Sequence, residues 1–205
     1  MLHNDYVDGM LRHMIPLQEE ILQDEKRRDD VCPSVGKELG RFLHLLILAL
    51  KPSHVLELGT SMGYAAIWMG LALKEIGGTL TTIEYHQRLV EEAKRNIAQA
   101  GLHEIVTVLS GKAEDLLDEL PGSYDMIVQD AGTKSYPGTL SNLIAKLSPG
   151  GILLADDVLF AVNAKRENPK KNMAEFNKRL MEDDSLFSTI LSIGDGLSLS
   201  IKKTL

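Results

Sequence analysis

Residues 55–64, Val-Leu-Glu-Leu-Gly-Thr-Ser-Met-Gly-Tyr, limit what this chain can become more than any other stretch. The apolar run 55–58, introduced by Lys51-Pro52-Ser53 and ended by Gly59, reads as a short buried strand. Residues 65–73, Ala-Ala-Ile-Trp-Met-Gly-Leu-Ala-Leu, then read as a helix, so the unit is strand, glycine turn, helix. Such a turn lets a ligand approach the backbone, and the helix start offers N–H groups that have no partner within the helix. Gly59 and Gly63 form a Gly-x-x-x-Gly pattern, with Glu57 two residues ahead of it. The Gly-x-Gly-x-x-Gly that admits a pyrophosphate is missing, which disfavours a nicotinamide dehydrogenase. A ligand without phosphate but with a charged or hydroxylated sugar end suits the turn better, although glycine turns also serve plain strand–helix packing.

From Val55 onward strand and helix alternate. Strands are expected at 80–84, 105–109, 124–129 and 152–155, and helices at 86–100, 113–120, 140–147 and near 172–183. The alternation implies right-handed crossovers and an α/β fold, a parallel sheet with helices on both faces. Residues 187–201 hold two β runs joined at Gly194-Asp195-Gly196, an antiparallel hairpin at the sheet edge. Ahead of this lie residues 2–24, amphipathic at helical spacing and bent or restarted at Pro16, and a leucine-rich helix at 36–50. These N-terminal helices either pack on the main body or serve as a lid or dimer contact. With 205 residues, 44% apolar, and no repeat or linker, one domain spanning 1–205 is expected.

Charge and cysteine narrow the classes. A net charge of −7 argues against a dedicated nucleic-acid binder. The single cysteine, Cys32, excludes a disulfide framework and a thiolate zinc cluster and fits a reducing cytoplasm. No signal peptide is read at the N-terminus, and the longest apolar run, 42–50, is broken by His44 and too short to cross a bilayer. The six histidines are scattered, and Trp68 at helical spacing reads as core.

In an open parallel sheet ligands sit beyond the carboxyl ends of the strands. Acids fall at those ends: Glu84 on the second strand, Asp130 on the fourth, Asp156 and Asp157 on the fifth. Glu84, 25 residues past Gly59, is placed either to accept hydrogen bonds from both hydroxyls of a ribose or to cap the next helix. Asp130, Asp156 and Asp157 would repel one another and raise each other's pKa unless a cation sat between them. Oxygen ligands without cysteine or paired histidines favour Mg²⁺, Mn²⁺ or Ca²⁺ over zinc. Consecutive strand residues point to opposite faces, so Asp156 and Asp157 act together only if a turn begins there.

Several of these segments resemble, in order, the motifs of the metal-dependent, S-adenosylmethionine-dependent O-methyltransferases of the catechol and caffeoyl-CoA type, bacterial members included. The likeness runs from about Val35 to Lys203: residues 55–64, Thr82-Ile83-Glu84, residues 110–114, residues 124–131 with Tyr136-Pro137, residues 150–159 and Gly194-Asp195-Gly196-Leu197. It implies a Rossmann-like class I methyltransferase sandwich, with a mostly parallel seven-stranded sheet and a C-terminal antiparallel hairpin. It also implies methyl transfer from S-adenosylmethionine to a hydroxyl oxygen held on a divalent cation. Val35, Glu57, Gly59, Ser61, Gly63, Tyr64, Ala65, Glu84, Gly111, Ala113 and Asp130 correspond to its cofactor-binding positions, and Asp130, Asp156 and Asp157 to its metal ligands. Two positions depart from the family pattern. Asp157 replaces the usual asparagine, and Thr133 stands where the general-base lysine is expected, with Lys134 one residue on. Lys134 swinging into that role, or the cation lowering the hydroxyl pKa, are the two ways to supply a base.

A small vicinal diol or phenol is the leading acceptor, because two adjacent oxygens chelate one cation. Hydroxyuridine in transfer RNA is the alternative, which the basic Lys165, Arg166, Lys170 and Lys171 would serve, and a non-catalytic cofactor-binding protein is the reading of another class. A homodimer through the N-terminal helices, a cytoplasmic location and no membrane partner complete the expectations.

Overall fold

The computed structural model describes residue 6 and residues 9–204. Leu2, the first member of the amphipathic series, lies outside them, while Tyr6 and Met10 are exposed. The N-terminal stretch does restart at Pro16. Helix α1 (Pro16–Glu25) begins with proline at its first position, where the missing N–H breaks no helical bond. The Gln18 side-chain oxygen instead accepts from the N–H groups of Met14 (2.9 Å) and Ile15 (3.2 Å).

Helix α2 (Gly36–Leu50) buries Leu39, Leu43 and Ile47, one turn apart, against helix α3 (Tyr64–Ile76). Gly40 permits that approach: a Cβ there would lie 2.4 Å from the Trp68 ring. Trp68 is fully buried, and His44 Nδ1 sits 3.0 Å from its carbonyl oxygen, so His44 is a satisfied core residue. Each large apolar side chain removed from water in this layer contributes about 1.5–3 kcal/mol.

Seven strands form one sheet in the order β3-β2-β1-β4-β5-β7-β6, with β1 (His54–Leu58), β2 (Thr79–Glu84), β3 (Val106–Ser110), β4 (Tyr124–Gln129) and β5 (Leu147–Ala155) parallel. β6 (Leu186–Leu191) and β7 (Leu197–Lys202) close the sheet as an antiparallel hairpin. Along each strand alternate side chains serve opposite layers. Val55, Leu80, Met126 and Val128 face α2, α3 and α4 (Gln87–Gln99), whereas Leu56, Leu58, Ile83 and Ile127 face the layer that holds Tyr136, Leu140, Leu143, Met173 and Phe176. That second layer comprises α5 (Ala113–Leu116), α6 (Tyr136–Lys146) and α8 (Glu167–Glu182), with the short α7 (Phe160–Asn163) after the fifth strand.

The expected element order holds, with shifted boundaries. Helix α6 starts at Tyr136 rather than 140, because Pro137 in its first turn suits a helix start. β5 starts at Leu147 rather than 152, and Pro149-Gly150-Gly151 lies inside the strand at an irregularity opposite Tyr124 and Met126. α8 starts at Glu167, so Lys170 and Lys171 are helical, and α5 is shorter than expected. Among the described residues, no helix is long and apolar enough to cross a membrane.

Candidate active site

β1 continues into β2 and β3 on one side and pairs with β4 on the other, so the chain changes direction across the sheet between β1 and β4. In such sheets the cleft opens at that point, beyond the strand ends. The glycine turn, Glu84, Asp130 and the Asp156–Asp157 pair all lie there.

Gly59 has φ of 98°, and a Cβ on it would stand 2.3 Å from the Asp130 carbonyl oxygen. Asp130 N–H donates to Leu58 O (2.8 Å), which brings the end of β4 directly onto the turn. Ser61 also has positive φ (48°). Its backbone N–H donates to a Glu84 carboxylate oxygen (2.8 Å), and the other oxygen of Glu84 accepts from His86 N–H (2.8 Å). Glu84 therefore braces the turn and fixes His86, the residue that precedes α4. Ser61 Oγ is buried without a partner, a polar atom waiting beside a backbone cradle. Gly63 starts α3, followed by the buried Tyr64 and Ala65. Tyr64 Oη lies 2.9 Å from His13 Nε2, and His13 Nδ1 lies 2.9 Å from Glu19, which links the first helices to the turn.

Beneath the turn runs a chain the sequence did not announce. Thr60 Oγ1 and Thr82 Oγ1 are 2.6 Å apart, and Thr82 donates to Glu57 Oε2 (2.5 Å). Glu57 is fully buried and its Oε1 has no partner. Burial pushes its carboxyl up to about 8, against the pull of the Thr82 bond, so it holds a proton at neutral pH. Only strand register reveals this pairing, because Glu57 and Thr82 are opposite each other on β1 and β2. Of the other cofactor positions that the resemblance implies, Gly111 follows β3 at φ of 156° and the buried Ala113 opens α5. Val35 is half-buried at the start of α2.

The acids do gather. Asp130 is driven well above the usual carboxylate range, first by burial and then by the charges of Asp156 and Asp157. Burial raises Asp156 to about 7 and Asp157 to about 6, with Asp195 adding to both. Asp157 has φ of 61°, and its N–H donates to Asp156 Oδ1 (2.8 Å). A turn thus begins at the strand end, which removes the alternation objection. Tyr136 Oη lies 2.8 Å from Gln129 O and 3.0 Å from Asp156 O, so its proton bridges the ends of β4 and β5. Asp195 is the acid that sequence reasoning missed; its carbonyl accepts from Leu159 N–H (3.0 Å), which docks the hairpin turn on this edge. Its signal was the Gly-Asp-Gly triplet, read as a hairpin turn and as part of the family likeness but not as an acid of the site.

Mutually repelling carboxylates with oxygen donors suit a hard divalent cation. Among the described residues, no three His, Cys, Asp or Glu side chains are positioned to hold one together. The acids are a cluster by charge rather than a formed cage. Lys134 is exposed on the turn between β4 and α6, whereas Thr133 is half-buried there.

Residues 14–203 match the O-methyltransferase family. The catechol O-methyltransferase of Niastella koreensis is 34% identical over 183 residues, covering 83% of this chain and 82% of that protein. The caffeoyl-CoA O-methyltransferase of Populus kitakamiensis is 29% identical over 181 residues, covering 81% of this chain and 77% of its own. Among solved structures, the O-methyltransferase of Bacillus cereus in complex with SAH shares the fold at a TM-score of 0.87 and 24% identity, covering 99% of this chain and 98% of that one.

Proposed function

Since the chain belongs to the O-methyltransferase family, we propose that it transfers the methyl group of S-adenosylmethionine to a hydroxyl of a small catechol-like or phenolic acceptor, with a divalent cation as resident cofactor. The observation that carries this reading is the position of Asp130. It lies against Gly59 of the turn and, through charge, among Asp156 and Asp157, so one residue joins the cofactor cradle to the acid cluster.

In this reading Glu84 accepts from the ribose hydroxyls with the lone pairs left over from Ser61 and His86. Ser61 Oγ and the N–H groups at the start of α3 meet the amino-acid end of the cofactor. Gly111 and Ala113 border the adenine. Asp130, Asp156 and Asp157 would hold Mg²⁺, or Mn²⁺ or Ca²⁺ in its place. The cation's chemistry would be to orient two acceptor oxygens and lower the hydroxyl pKa. The sulfonium donor is already activated, so the chain's own task is alignment, worth up to roughly 7–11 kcal/mol in the limit. Lys134, as its neutral amine, accepts the hydroxyl proton and becomes the ammonium.

The test is label transfer from methyl-labelled S-adenosylmethionine to a panel of catechols and, separately, to hydroxyuridine-containing transfer RNA, each with Mg²⁺ and with a chelator. Cation-dependent transfer to a catechol that fails in Asp130→Asn supports the proposal, and Lys134→Ala then assigns the base. Transfer to RNA alone replaces the acceptor, and cofactor binding without transfer to anything leaves a non-catalytic binder. A homodimer through the N-terminal helices belongs to the same reading, supported by exposed Tyr6, Met10, Met14, Leu45 and Leu50. A monomer mass by light scattering would remove it. We place the protein in the cytoplasm on its exposed free Cys32, which a reducing compartment keeps as a thiol.

A further inference from the structure

Arg28 stands just beyond α1, and its guanidinium faces four groups. Nη1 donates to Glu92 Oε2 of α4 (2.6 Å) and to Asp24 (3.3 Å), and Nε and Nη2 form a fork on Asp30 (2.9 and 3.2 Å). Nη1 also lies 3.7 Å from the sulfur of Met62, inside the glycine turn. The Arg28 side chain is only 18% exposed and Glu92 16%, so this pair is screened far less than an open surface ion pair. Asp24 and Asp30 are close in sequence, but Glu92 and Met62 are not. The contacts to them join the N-terminal segment to the body.

Helix α4 reaches the same turn a second time, where Asn96 Nδ2 donates to Met62 O (2.8 Å). The far end of the segment is fastened too, since buried Glu25 accepts from Ser34 N–H (3.2 Å) and from the Ser34 hydroxyl. Residues 26–35 are therefore tied down by Arg28 on Glu92 and Met62 and by Ser34 on Glu25, and they lead into Val35 at the start of α2.

We propose that Arg28 is a positioning residue for the cofactor: by gripping Glu92 and pressing on Met62 it holds residues 26–35 and the glycine turn in one arrangement, and the bound nucleoside leaves only when the grip opens. This rests on the cofactor reading above, whereas the role of Arg28 is independent of the acceptor.

The experiment measures binding and dissociation of S-adenosylhomocysteine, with KM and kcat for S-adenosylmethionine, in the wild-type chain and in Arg28→Met, Arg28→Lys and Glu92→Gln. Thermal midpoints are recorded for each. The grip predicts about a tenfold weaker Kd in Arg28→Met and Glu92→Gln, carried by faster dissociation, with the loss in KM rather than kcat. Arg28→Lys recovers part of it, because a lysine keeps the charge but not the fork. The double variant is no weaker than either single one. Cofactor is expected to slow trypsin cleavage at the exposed Lys26 and Arg27 in the wild type and to leave it unchanged in the variants. Wild-type Kd and dissociation rate in a folded Glu92→Gln overturn the proposal even if Arg28→Met fails to fold. A wild-type chain that binds no nucleoside overturns the cofactor reading and this proposal with it.

Discussion

Replacing Glu57 by glutamine separates a buried acid's proton from its shape. In the native chain this carboxyl titrates at about 8, against an ordinary value of 4.5, because it is sealed between β1, β2 and α3. Between those two values the folded chain keeps the proton and the unfolded chain loses it. Folding stability from this group is therefore fully present below about pH 4.5 and falls as pH rises, reaching its floor near pH 8. At about 1.4 kcal/mol per pH unit, the window costs the wild type on the order of 5 kcal/mol. Glutamine mimics the protonated form: its oxygen accepts from Thr82, and its amide nitrogen takes the place of unpartnered Oε1. Urea unfolding of both proteins without cofactor, at pH 5, 7 and 9, reads the difference. The other acids titrate in both chains and cancel. Glu57→Gln is expected to match the wild type near pH 5 and to exceed it by a few kcal/mol at pH 9. A stability difference that stays constant across this range would refute the buried-proton argument.

The remaining perturbations act through backbone and packing. Gly59→Ala puts a Cβ into the Asp130 carbonyl at positive φ, so it should cost about 1–2 kcal/mol from handedness alone, more from the clash, and abolish S-adenosylhomocysteine binding by calorimetry. Gly40→Ala drives a methyl into the Trp68 ring and is expected to cost about 1–3 kcal/mol in urea unfolding. Tyr136→Phe removes the proton shared by Gln129 O and Asp156 O; a loss of about 1–3 kcal/mol, with methyl transfer falling further than cofactor binding, is the expected pattern.

Periodicity and punctuation made most of the fold legible. The apolar runs at Val55 and Tyr124 are parallel strands buried on both faces, and Gly59 and Gly111 mark where the chain turns after β1 and β3. Boundaries moved where tertiary packing outweighed local signals. Pro149-Gly150-Gly151 carries the punctuation of a turn, yet it lies within β5, at the register irregularity between the Tyr124–Leu147 and Met126–Ile152 pairs with β4. The strand-end acids were legible because a parallel sheet delivers all carboxyl ends to one edge. Asp195 and the Glu57–Thr82–Thr60 chain were not, since they depend on docking and cross-strand register that a linear pattern does not carry. Arg28 was not legible either, because its partner Glu92 is 64 residues away.

The most direct test of the acid cluster is calorimetric titration of Mn²⁺ near pH 6.5, run in two buffers with different ionisation enthalpies. Carboxyls raised by burial and by one another must give up protons to bind a cation. The wild-type chain is predicted to bind one Mn²⁺ with measurable proton release, and Asp130→Asn and Asp156→Asn to lose that binding. Binding without proton release, or binding unchanged in both variants, would contradict a cation held by Asp130, Asp156 and Asp157.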